Sequence, residues 1–491
     1  MVWETIIGIE IHAELKTNSK IFCNCPTKFG AEKNKNTCPV CIGLPGTLPR
    51  LNKETIHLAI KAGLSFNCKI NNFSKMDRKN YFYPDTPKAY QVSQNDKPIC
   101  FDGFVDINKG ADCVNRIRIN RIHIEEDAGK LVHLEREPHT LIDYNRAGIP
   151  LIEIVSEPDL RSPTEAVEYV KAIKNILMYQ EISDCRMEEG SLRCDANISI
   201  RKKGEYKLNT KVELKNINSF KELQKALENE EQRQKELYIN NQMDKVMQET
   251  RRWDSVKGKT ISMRKKEESQ DYRYFPEPDI PIITIDKSWI NCIKKQLSEF
   301  PNERKIRYIN NYRLKEKDAE LLTSDKALGN YFEKIVASGA DPKTTVNWIL
   351  GDFLKLLKAN EISVDQVLIK ESDFAELINL IKREDISQKI GKVVFKIMFL
   401  TGKRPKVIIE EKGLKQIKNK DALEKIVNEV LTSNTNPVND YYEGKTQAIG
   451  YLMGQIMKET NGQANPQLSK ELLLLKLSCK EYLPIHNNDE Q

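Results

Sequence analysis

The segment ETIIGIEIHAEL, residues 4–15, carries acidic and imidazole side chains at alternate positions near the start of the chain. Alternation of this kind predicts a β-strand with one apolar face and one polar face. Glu10, His12 and Glu14 would then lie in a row on the polar face. Carboxylates with an imidazole between them favour a bound divalent cation, although a single polar face is more often simply solvated.

Polar side chains recur at alternate positions in four later segments. These segments are residues 116–130 with Glu125, 150–159 with Glu153, 191–200 with Arg193 and Asp195, and 211–216 with Lys215. The apolar residues between them predict strands here too. Several strands that combine carboxylates with well-spaced cations form a mixed-sign polar sheet, which suits Mg²⁺ that bridges nucleotide phosphates. The pattern alone favours an ATP-dependent ligase or kinase.

The segment 116–130 also interrupts its own alternation, because its apolar positions change phase between Ile119 and Ile122. One extra residue in a strand produces such a change, so we expect a β-bulge near Asn120. Bulges often redirect side chains beside active sites, and this strand ends in the acidic residues 125–127.

The sequence lacks the common loop motifs for nucleotides. The tripeptide GKT occurs at residues 258–260 and 444–446, but a P-loop needs a glycine five residues earlier, where Trp253 and Asn439 stand. No two glycines lie two residues apart in the sequence, which excludes the G-x-G-x-x-G loop. If ATP binds, we therefore expect it to bind on the predicted sheet.

Four cysteines lie within residues 23–41, as a C-x-C pair, twelve intervening residues and a C-x-x-C pair. Closely paired thiols in a reducing compartment are typical ligands of tetrahedral zinc. We therefore expect Cys23, Cys25, Cys38 and Cys41 to hold a structural Zn²⁺, with reduced surface thiols as the alternative. A closed four-thiolate site leaves no position for water, so this metal would stabilise a loop and take no part in chemistry.

Composition favours a cytoplasmic protein with no membrane segment. The N-terminal residues MVWETIIGIEIHAELK are charged and lack the long apolar core of a signal peptide, and no run of about eighteen apolar residues occurs. Eleven cysteines, an odd number in a 491-residue chain, do not suit a secreted disulfide framework. The net charge of +7 is compatible with a polyanionic partner but does not require one, because charged residues of both signs make up 30% of the chain.

The organisation of the chain changes near residue 290. Before this point alternating segments dominate, with two helices signalled by capping boxes at Ser162–Glu165 and Ser219–Glu222. After it, helical patterns follow one another and are joined by short polar loops. These observations predict an α+β protein in which a β-rich N-terminal part is followed by helices.

Several blocks of sequence, taken together, resemble one known family. They are, in order, DRKNYFYPDTPKAYQVSQ, IHIEEDAGK, DYNRAGIPLIEIVSEPDLRSP, EEGSLRCDANISIR, VELKNINSF, QETRRWD, DYRYFPEPDIPI and YYEGKTQAIGYLMGQIMKETNGQANPQL. Over essentially its whole length the chain resembles the B subunit of the aspartyl/glutamyl-tRNA(Asn/Gln) amidotransferase. The resemblance implies a cradle domain similar to the catalytic part of glutamine synthetase over residues 1–292. It further implies an all-helical domain over 293–405 and a small helical, tRNA-binding tail domain of the YqeY type over 406–491.

That resemblance also implies an activity and partners. Such enzymes convert Glu-tRNA(Gln) to Gln-tRNA(Gln) and Asp-tRNA(Asn) to Asn-tRNA(Asn), and are ligases that form a carbon–nitrogen bond with glutamine as amido donor. The B subunit uses ATP and Mg²⁺ to phosphorylate the side-chain carboxylate, and ammonia from the A subunit, an amidase, replaces the phosphate. A small C subunit completes the heterotrimer. Two alternatives are a non-catalytic, zinc-containing scaffold that binds tRNA and a glutaminase with a cysteine nucleophile.

The family's site residues correspond to particular positions of this sequence. The resemblance assigns the metal and phosphate contacts to Glu10, His12, Glu125 and Glu153, with Lys79 nearby. From the alternating pattern we add Arg193, Asp195 and Lys215. The predicted roles are catalysis by Lys79, Glu125, Glu153, Arg193 and Asp195, ATP binding by Glu10, Lys79, Arg193 and Lys215, and Mg²⁺ binding by Glu10, His12, Glu125 and Glu153.

Overall fold

Residues 2–108, 114–134, 139–265, 271–414, 417, 419–460 and 462–479 are described by a computed structural model. The chain divides into two units between Phe300 and Pro301. Among the described residues, no helix combines the length and the apolar character needed to cross a membrane.

The first unit is built around β-strands. In chain order they are β1 (Trp3–Glu14), β2 (Lys69–Ile70), β3 (Phe73–Ser74), β4 (Asp77–Asn80), β5 (Tyr90–Ser93), β6 (Cys100–Asn108), β7 (Val114–Glu126), β8 (Lys130–His133), β9 (Thr140–Asp143), β10 (Pro150–Ser156), β11 (Leu192–Lys202), β12 (Val212–Lys215), β13 (Glu249–Asp254), β14 (Lys259–Lys265), β15 (Phe275–Pro276) and β16 (Ile283–Thr284).

Helices accompany these strands in the first unit and make up the second. The first unit contains α1 (Lys53–Ser65), α2 (Pro163–Tyr179), α3 (Phe220–Ile239) and α4 (Lys287–Lys295). The second contains α5 (Pro301–Tyr312), α6 (Glu316–Thr323), α7 (Lys326–Ala337), α8 (Pro342–Trp348), α9 (Leu354–Asn360), α10 (Glu371–Lys382), α11 (Gln388–Thr401), α12 (Pro405–Glu411), α13 (Lys420–Ser433), α14 (Thr435–Tyr442), α15 (Ala448–Glu459) and α16 (Pro466–Ser478). A π-helical turn, Ile349–Phe353, joins α8 to α9, and short 3₁₀ turns lie at Met243–Lys245 and Val364–Gln366. This distribution confirms the predicted α+β class.

The large sheet of the first unit places β1 near its centre. Within the described residues, nine strands join in the order β14-β13-β12-β11-β1-β10-β7-β6-β2. The apolar side chains of β1, including Ile7 and Ile9, lie in one buried cluster with residues of α1, α2 and α3. Because helices cover this apolar face, the opposite face of β1 carries the polar side chains.

The predicted bulge is present in β7. Val155 of β10 pairs with Arg121, whereas the next residue, Ser156, pairs with Ile119, so Asn120 is the extra residue. The Asn120 side chain donates a hydrogen bond to Glu157 at 2.7 Å. The change of apolar phase in the sequence is therefore explained by a shift in strand register.

The two predicted capping boxes mark real helix starts, with one difference in detail. Ser162 Oγ and Ser219 Oγ each accept a hydrogen bond from the backbone N–H three residues later, at 3.2 Å. The Glu165 carboxylate in turn accepts from the backbone N–H of Arg161 at 2.9 Å, which is one residue before the N-cap. Glu222 makes the equivalent bond to the N–H of Asn218 at 2.9 Å. Both glutamates thus stabilise the approach to the helix.

The buried apolar residues form three clusters along the described chain. One fills the first unit, a second contains residues from Tyr308 to Ile409, and a third contains residues from Leu423 to Leu477. Ile293 of α4 belongs to the first cluster and Ile408 of α12 to the second. The division into 1–292, 293–405 and 406–491 stays a prediction, and residues 480–491 of the expected tail lie outside the described residues.

Candidate active site

The polar face of β1 meets polar residues of both neighbouring strands, because antiparallel pairing sets their register. His12 lies opposite Glu153 of β10 and opposite Arg193 of β11, while Glu10 lies opposite Asp195 of β11. Side chains that lie opposite one another on paired strands share one face of the sheet. The register therefore gathers these residues on a single surface.

His12, His123, Glu125 and Glu153 form a tight group on this face, which we call the imidazole–carboxylate cluster. His12 Nε2 lies 3.4 Å from Glu125 Oε1 and 3.3 Å from Glu153 Oε2. His123 Nε2 lies 3.0 Å from Glu153 Oε2 and 3.7 Å from Glu125 Oε2. Glu125 is only 4% exposed, and it also accepts a hydrogen bond from Ser93 Oγ at 3.3 Å. Both carboxylates are thus within reach of both imidazoles.

The charges in this cluster stabilise one another. Burial alone would lower the pKa of His12, but its hydrogen bond to Glu153 and the charge of that carboxylate outweigh burial and raise it. Burial would also lower the pKa of His123. The charge of Glu153 outweighs this effect and, with smaller contributions from Glu125, raises the pKa to about 9. Burial would raise the pKa of Glu153, yet the two imidazoles hold it well below its ordinary value. An imidazole must be neutral to bind a metal, so a cation and a second proton on His12 exclude each other.

Glu10, Asp195 and Glu213 form a second group, which we call the three-carboxylate cluster; one oxygen from each lies within 4.8 Å of the others. Lys215 Nζ lies 2.9 Å from Asp195 Oδ2 and 3.3 Å from Glu213 Oε1. Asn197 Nδ2 donates to Glu10 Oε1 at 2.9 Å. Burial, followed by the charges of nearby carboxylates, raises the pKa of Glu10. A divalent cation would relieve this repulsion between acids.

The four residues predicted to bind Mg²⁺ therefore fall into two neighbouring groups, with Glu10 in the three-carboxylate cluster and the others in the imidazole–carboxylate cluster. Glu10 and His12 are two residues apart on one strand, so the clusters are separated by about 7 Å along β1. The three-carboxylate cluster offers only oxygen ligands, which Mg²⁺ prefers. In the imidazole–carboxylate cluster, His12 would supply a nitrogen ligand beside the oxygens of Glu125 and Glu153. Both sets of ligand atoms fit a divalent cation.

Glu14 continues the row on β1 beyond His12 and lies close to Asp127, the residue after β7. Burial and the charge of Asp127 raise the pKa of Glu14 to about 8. Asp127 Oδ2 lies 2.8 Å from Arg193 Nη2 and 3.4 Å from Arg146 Nε. The predicted catalytic residue Arg193 is thus held by Asp127, beside the imidazole–carboxylate cluster.

Lys79 lies on β4, in a small sheet with β5 and β15. Its Nζ is 4.9 Å from the centre of the Tyr272 ring and 5.9 Å from that of Tyr81, distances at which an ammonium group is attracted to an aromatic face. On the paired strand β5, Gln91 Nε2 donates to the backbone oxygen of Glu126 at 2.8 Å. Lys79 therefore lies among tyrosines, on a strand whose partner β5 is hydrogen-bonded to the backbone of Glu126.

The Sγ atoms of Cys23, Cys25, Cys38 and Cys41 all lie within 4.8 Å of one another. Tetrahedral zinc with Zn–S bonds of about 2.3 Å fits this spacing. A hydrogen bond from Cys23 lowers the pKa of Cys41 to about 5, and the charge of Lys20 adds to this effect. Lys20 is fully buried, with its Nζ 3.6 Å from Cys41 Sγ. A buried ammonium beside four thiols would offset part of the negative charge of a zinc-thiolate site.

Two members of these clusters, His123 and Glu213, were missed from the sequence. His123 is two residues before Glu125 on the same strand, and this spacing was the available signal. Glu213 was visible on a polar strand face beside Lys215, but the sequence does not reveal that β12 pairs with β11. Alternation along β7 could thus have identified His123, whereas the role of Glu213 depends on strand pairing, which alternation along one strand cannot supply.

Comparison with known proteins agrees with the geometry. The family model described as "GatB/GatE catalytic domain" matches residues 5–291, and that described as "GatB domain" matches residues 330–477. Over 478 residues, the chain is 58% identical to the aspartyl/glutamyl-tRNA(Asn/Gln) amidotransferase B subunit 2 of Clostridium acetobutylicum, covering 97% of this chain and 100% of that protein. With the same coverage it is 56% identical to the B subunit of Clostridium beijerinckii and 52% identical to that of Thermoanaerobacter pseudethanolicus. The chain therefore belongs to the family of aspartyl/glutamyl-tRNA(Asn/Gln) amidotransferase B subunits.

Proposed function

We propose that this chain phosphorylates the side-chain carboxylate of misacylated Glu-tRNA(Gln), Asp-tRNA(Asn) or both, and replaces the phosphate with ammonia. Family membership confirms the predicted enzyme class, a ligase that forms a carbon–nitrogen bond with glutamine as amido donor. The observation that carries the proposal is the pair of residue groups on one sheet face that could each hold a cation. Two adjacent cations suit phosphoryl transfer between a nucleotide and a second anion.

The reaction needs a phosphate because a carboxylate is a poor acyl donor, whose leaving group would be oxide. In the first step, a carboxylate oxygen bonds to the γ-phosphorus of ATP, the bond to the bridging β–γ oxygen breaks, and ADP leaves. In the second, the nitrogen of ammonia bonds to the carbonyl carbon, the carbon–oxygen bond to phosphate breaks, and one proton is lost. Ammonia must reach the site unprotonated, since ammonium has no lone pair with which to attack.

The three-carboxylate cluster takes the nucleotide side of this reaction and the imidazole–carboxylate cluster the substrate side. Mg²⁺, when bound, neutralises charge on the triphosphate and on the acyl phosphate. Lys215 orients Asp195 and Glu213 through its contacts of 2.9 and 3.3 Å. Arg193, held by Asp127 at 2.8 Å, supplies a fixed positive charge close to the transferred phosphate. Lys79 supplies a second cation at the border of the site.

The proposal includes the partners and cofactors expected from the sequence. ATP and Mg²⁺ serve the reaction, and Zn²⁺ at Cys23, Cys25, Cys38 and Cys41 stabilises its loop. The chain works in the cytoplasm as part of a heterotrimer with the amidase (the A subunit), which releases ammonia from glutamine, and a small C subunit. The names of the relatives, as subunits of an aspartyl/glutamyl-tRNA(Asn/Gln) amidotransferase, support a multisubunit enzyme that acts on tRNA.

The alternative of a non-catalytic, zinc-containing scaffold is disfavoured by the carboxylate clusters. A scaffold that binds tRNA needs cations at its surface, because the phosphate backbone dominates affinity. It has no need of a Glu125 that is 4% exposed or of a Glu10 whose pKa is raised by burial and nearby acids. Costly buried acids of this kind are typical of catalytic sites.

The proposal is tested by tRNA-dependent ATP cleavage in the assembled complex. Glu125→Gln removes one charged ligand at almost constant volume and should lower ADP formation in the presence of Glu-tRNA(Gln) by at least about a hundredfold. Glutamine hydrolysis by the partner amidase should continue at least in part, because it does not use this site.

Glu205→Gln is the matched control, since it makes the same chemical change at an exposed position after β11. It should leave ADP formation unchanged within about twofold. Normal tRNA-dependent ATP cleavage by the Glu125→Gln complex would contradict the proposed role of the imidazole–carboxylate cluster.

A further inference from the structure

Residues 143–148, which we call the Asp143–Gly148 loop, link β9 to β10 and contact two different regions of the first unit. On one side is the cysteine loop, residues 23–41, together with the residues just before it. There, Ile21 donates its backbone N–H to Gly148 O at 2.9 Å. On the other side is the end of β7, where the Gly148 N–H donates to the backbone oxygen of Asp127 at 2.9 Å. The same glycine is therefore hydrogen-bonded to both regions.

Asn34 of the cysteine loop binds the start of this segment through its backbone and its side chain. Its backbone N–H donates to Asp143 Oδ1 at 3.1 Å, and its Nδ2 donates to Ile142 O at 3.0 Å. Its Oδ1 accepts from the Tyr144 N–H at 2.7 Å. The residue has a φ of +57°, a left-handed conformation that asparagine adopts more readily than most residues. One amide side chain thus satisfies both a backbone oxygen and a backbone N–H of the neighbouring segment.

Asn145 of the Asp143–Gly148 loop makes the reciprocal contacts. Its Oδ1 accepts from the Asn36 N–H at 2.8 Å, and its Nδ2 donates to Glu32 O at 2.6 Å. Lys20, which is fully buried, adds a hydrogen bond from Nζ to Tyr144 O at 3.3 Å. Side chains of each segment therefore bind backbone groups of the other, which fixes the two loops relative to one another.

The Asp143–Gly148 loop also holds the acid that binds Arg193. Arg146 donates from Nε to Ala128 O at 3.0 Å and from Nη2 to Gly129 O at 2.9 Å, just after Asp127. Asp127 is 5% exposed, and its Oδ2 lies 2.8 Å from Arg193 Nη2. The Arg193 Nε is buried without a hydrogen-bond partner among the described residues, so the bond to Asp127 sets where the guanidinium lies. A chain of contacts therefore runs from the cysteine loop to a predicted catalytic residue.

We propose that Asn34 is a positioning residue for phosphoryl transfer, which acts on Arg193 through the Asp143–Gly148 loop and Asp127. The inference rests on the proposed function, in which Arg193 stabilises the transferred phosphate. A charge aimed at a transition state loses much of its effect when it is displaced by about 1 Å. Loss of the Asn34 amide should therefore lower kcat and leave the KM for ATP nearly unchanged. The cysteine loop then contributes to catalysis as well as to stability.

The experiment measures ADP formation by the assembled complex with ATP, Mg²⁺ and Glu-tRNA(Gln). In Asn34→Gly, glycine keeps the left-handed conformation but removes the amide, so kcat should fall about tenfold while the KM for ATP stays within about twofold. Asn67→Gly is the matched control, because Asn67 is also exposed and also has a φ of +57°, and it should behave as wild type. Asn34→Asp, which keeps the oxygen that accepts from Tyr144, should also lower kcat and replaces the glycine variant if that chain does not fold.

A double-mutant cycle with Arg193→Gln separates positioning from a purely structural role. If Asn34 acts through Arg193, Asn34→Gly should lower kcat by less than about twofold in the Arg193→Gln background, since the group that it positions is already absent. An equal fall in both backgrounds, or a wild-type kcat in folded Asn34→Gly, overturns the inference and leaves the proposed function intact. Wild-type ADP formation by Arg193→Gln alone would contradict the proposed role of Arg193 and the inference with it.

Discussion

His123 was not among the predicted site residues, yet it contacts both glutamates of the imidazole–carboxylate cluster. It is 3% exposed, and its Nε2 lies 3.0 Å from Glu153 and 3.7 Å from Glu125. An N–H aimed at a metal-binding carboxylate fixes the orientation of that ligand and strengthens its charge. We therefore expect His123 to orient both glutamates, while His12 is the imidazole that binds the cation.

His123→Leu should lower the affinity of the complex for Mn²⁺, used as a probe of the cation sites, by about 10–100-fold. Leucine fills the position but removes the N–H that holds Glu153. Calorimetric titration of Mn²⁺ without nucleotide measures the change independently of activity. His133→Leu, at an exposed histidine of β8, serves as the control and should bind Mn²⁺ as wild type does. Equal affinities in the two variants would show that His123 is only structural.

The sequence predicted which side chains could do chemistry better than it predicted which of them lie next to one another. Glu10 and His12 were placed on one strand face by alternation, and the structure finds them there. We predicted that Glu10 and His12 bind Mg²⁺ together. We did not predict that Glu10 instead lies beside Asp195 of β11 and Glu213 of β12. Strand order depends on contacts between distant segments, and a single sequence carries no direct signal of it.

At the scale of elements, local signals were the most informative. The bulge at Asn120 followed from a change in apolar phase, and the two capping boxes from Ser and Glu spaced three residues apart. These features depend on neighbours in sequence, so they can be recognised without a fold. The end of the β1–β10 ladder at the pair Glu10–Val155 depends on two strands at once and was not foreseen.

The cysteine loop gives a prediction about one such element. Replacing Cys38 and Cys41 together by serine should abolish binding of about one zinc per chain, since serine is a poor zinc ligand. It should also lower stability, because Lys20 would remain buried without its thiolate partner. Zinc content by atomic emission and the urea midpoint measure the two effects.

The exposed Cys292 of α4 supplies the control, as Cys292→Ser removes a thiol away from the cluster. It should keep the zinc content and the urea midpoint of wild type. Wild-type chain purified without chelators that contains no zinc would contradict the metal assignment.

A pH-dependent element lies in the second unit, where α5 and α7 are joined by Glu333. Arg304 Nε donates to Glu333 at 2.9 Å, Arg307 Nη2 at 2.5 Å and the Tyr308 hydroxyl at 2.9 Å. Burial would raise the pKa of Glu333, but the hydrogen bonds from Arg304 and Arg307 outweigh it and lower the pKa. A lowered pKa stabilises the fold above the unfolded value of about 4.3, and this stability is lost as pH falls through the folded pKa.

Glu333→Gln should therefore reduce the free energy of unfolding by about 1–2 kcal/mol near neutral pH, and by less once the pH falls below about 4 and through the lowered folded pKa, where the wild-type carboxyl becomes protonated. Urea denaturation, monitored by hydrogen exchange of peptides from α5 and α7, measures this difference in the free energy of unfolding. Glu320→Gln, at an exposed position of α6, should show no such pH dependence. A Glu333→Gln deficit that is constant with pH would contradict the assignment to the charge.

At the scale of the whole molecule, the α+β class was predictable and the division into parts less so. The sequence pattern changes from alternating to helical near residue 290, and the structure divides into two units between Phe300 and Pro301. Within the second unit, Ile408 belongs to the same apolar cluster as Phe353, and the next cluster begins at Leu423. Because α12 packs on the preceding helices, the start of the tail is set by tertiary contacts that helical periodicity does not reveal.

The proposed mechanism requires the enzyme to activate the substrate carboxylate as an acyl phosphate. It is tested most directly by preparing Glu-tRNA(Gln) with ¹⁸O in both side-chain carboxylate oxygens and supplying it to the assembled complex with ATP, Mg²⁺ and glutamine. Mass spectrometry of the released phosphate then reports the path of the oxygen. If the acyl phosphate forms, we expect one ¹⁸O atom in each released phosphate and one in each product amide. No ¹⁸O should pass to phosphate when ATP is omitted. Phosphate free of ¹⁸O, with amide formed at the normal rate, would contradict it.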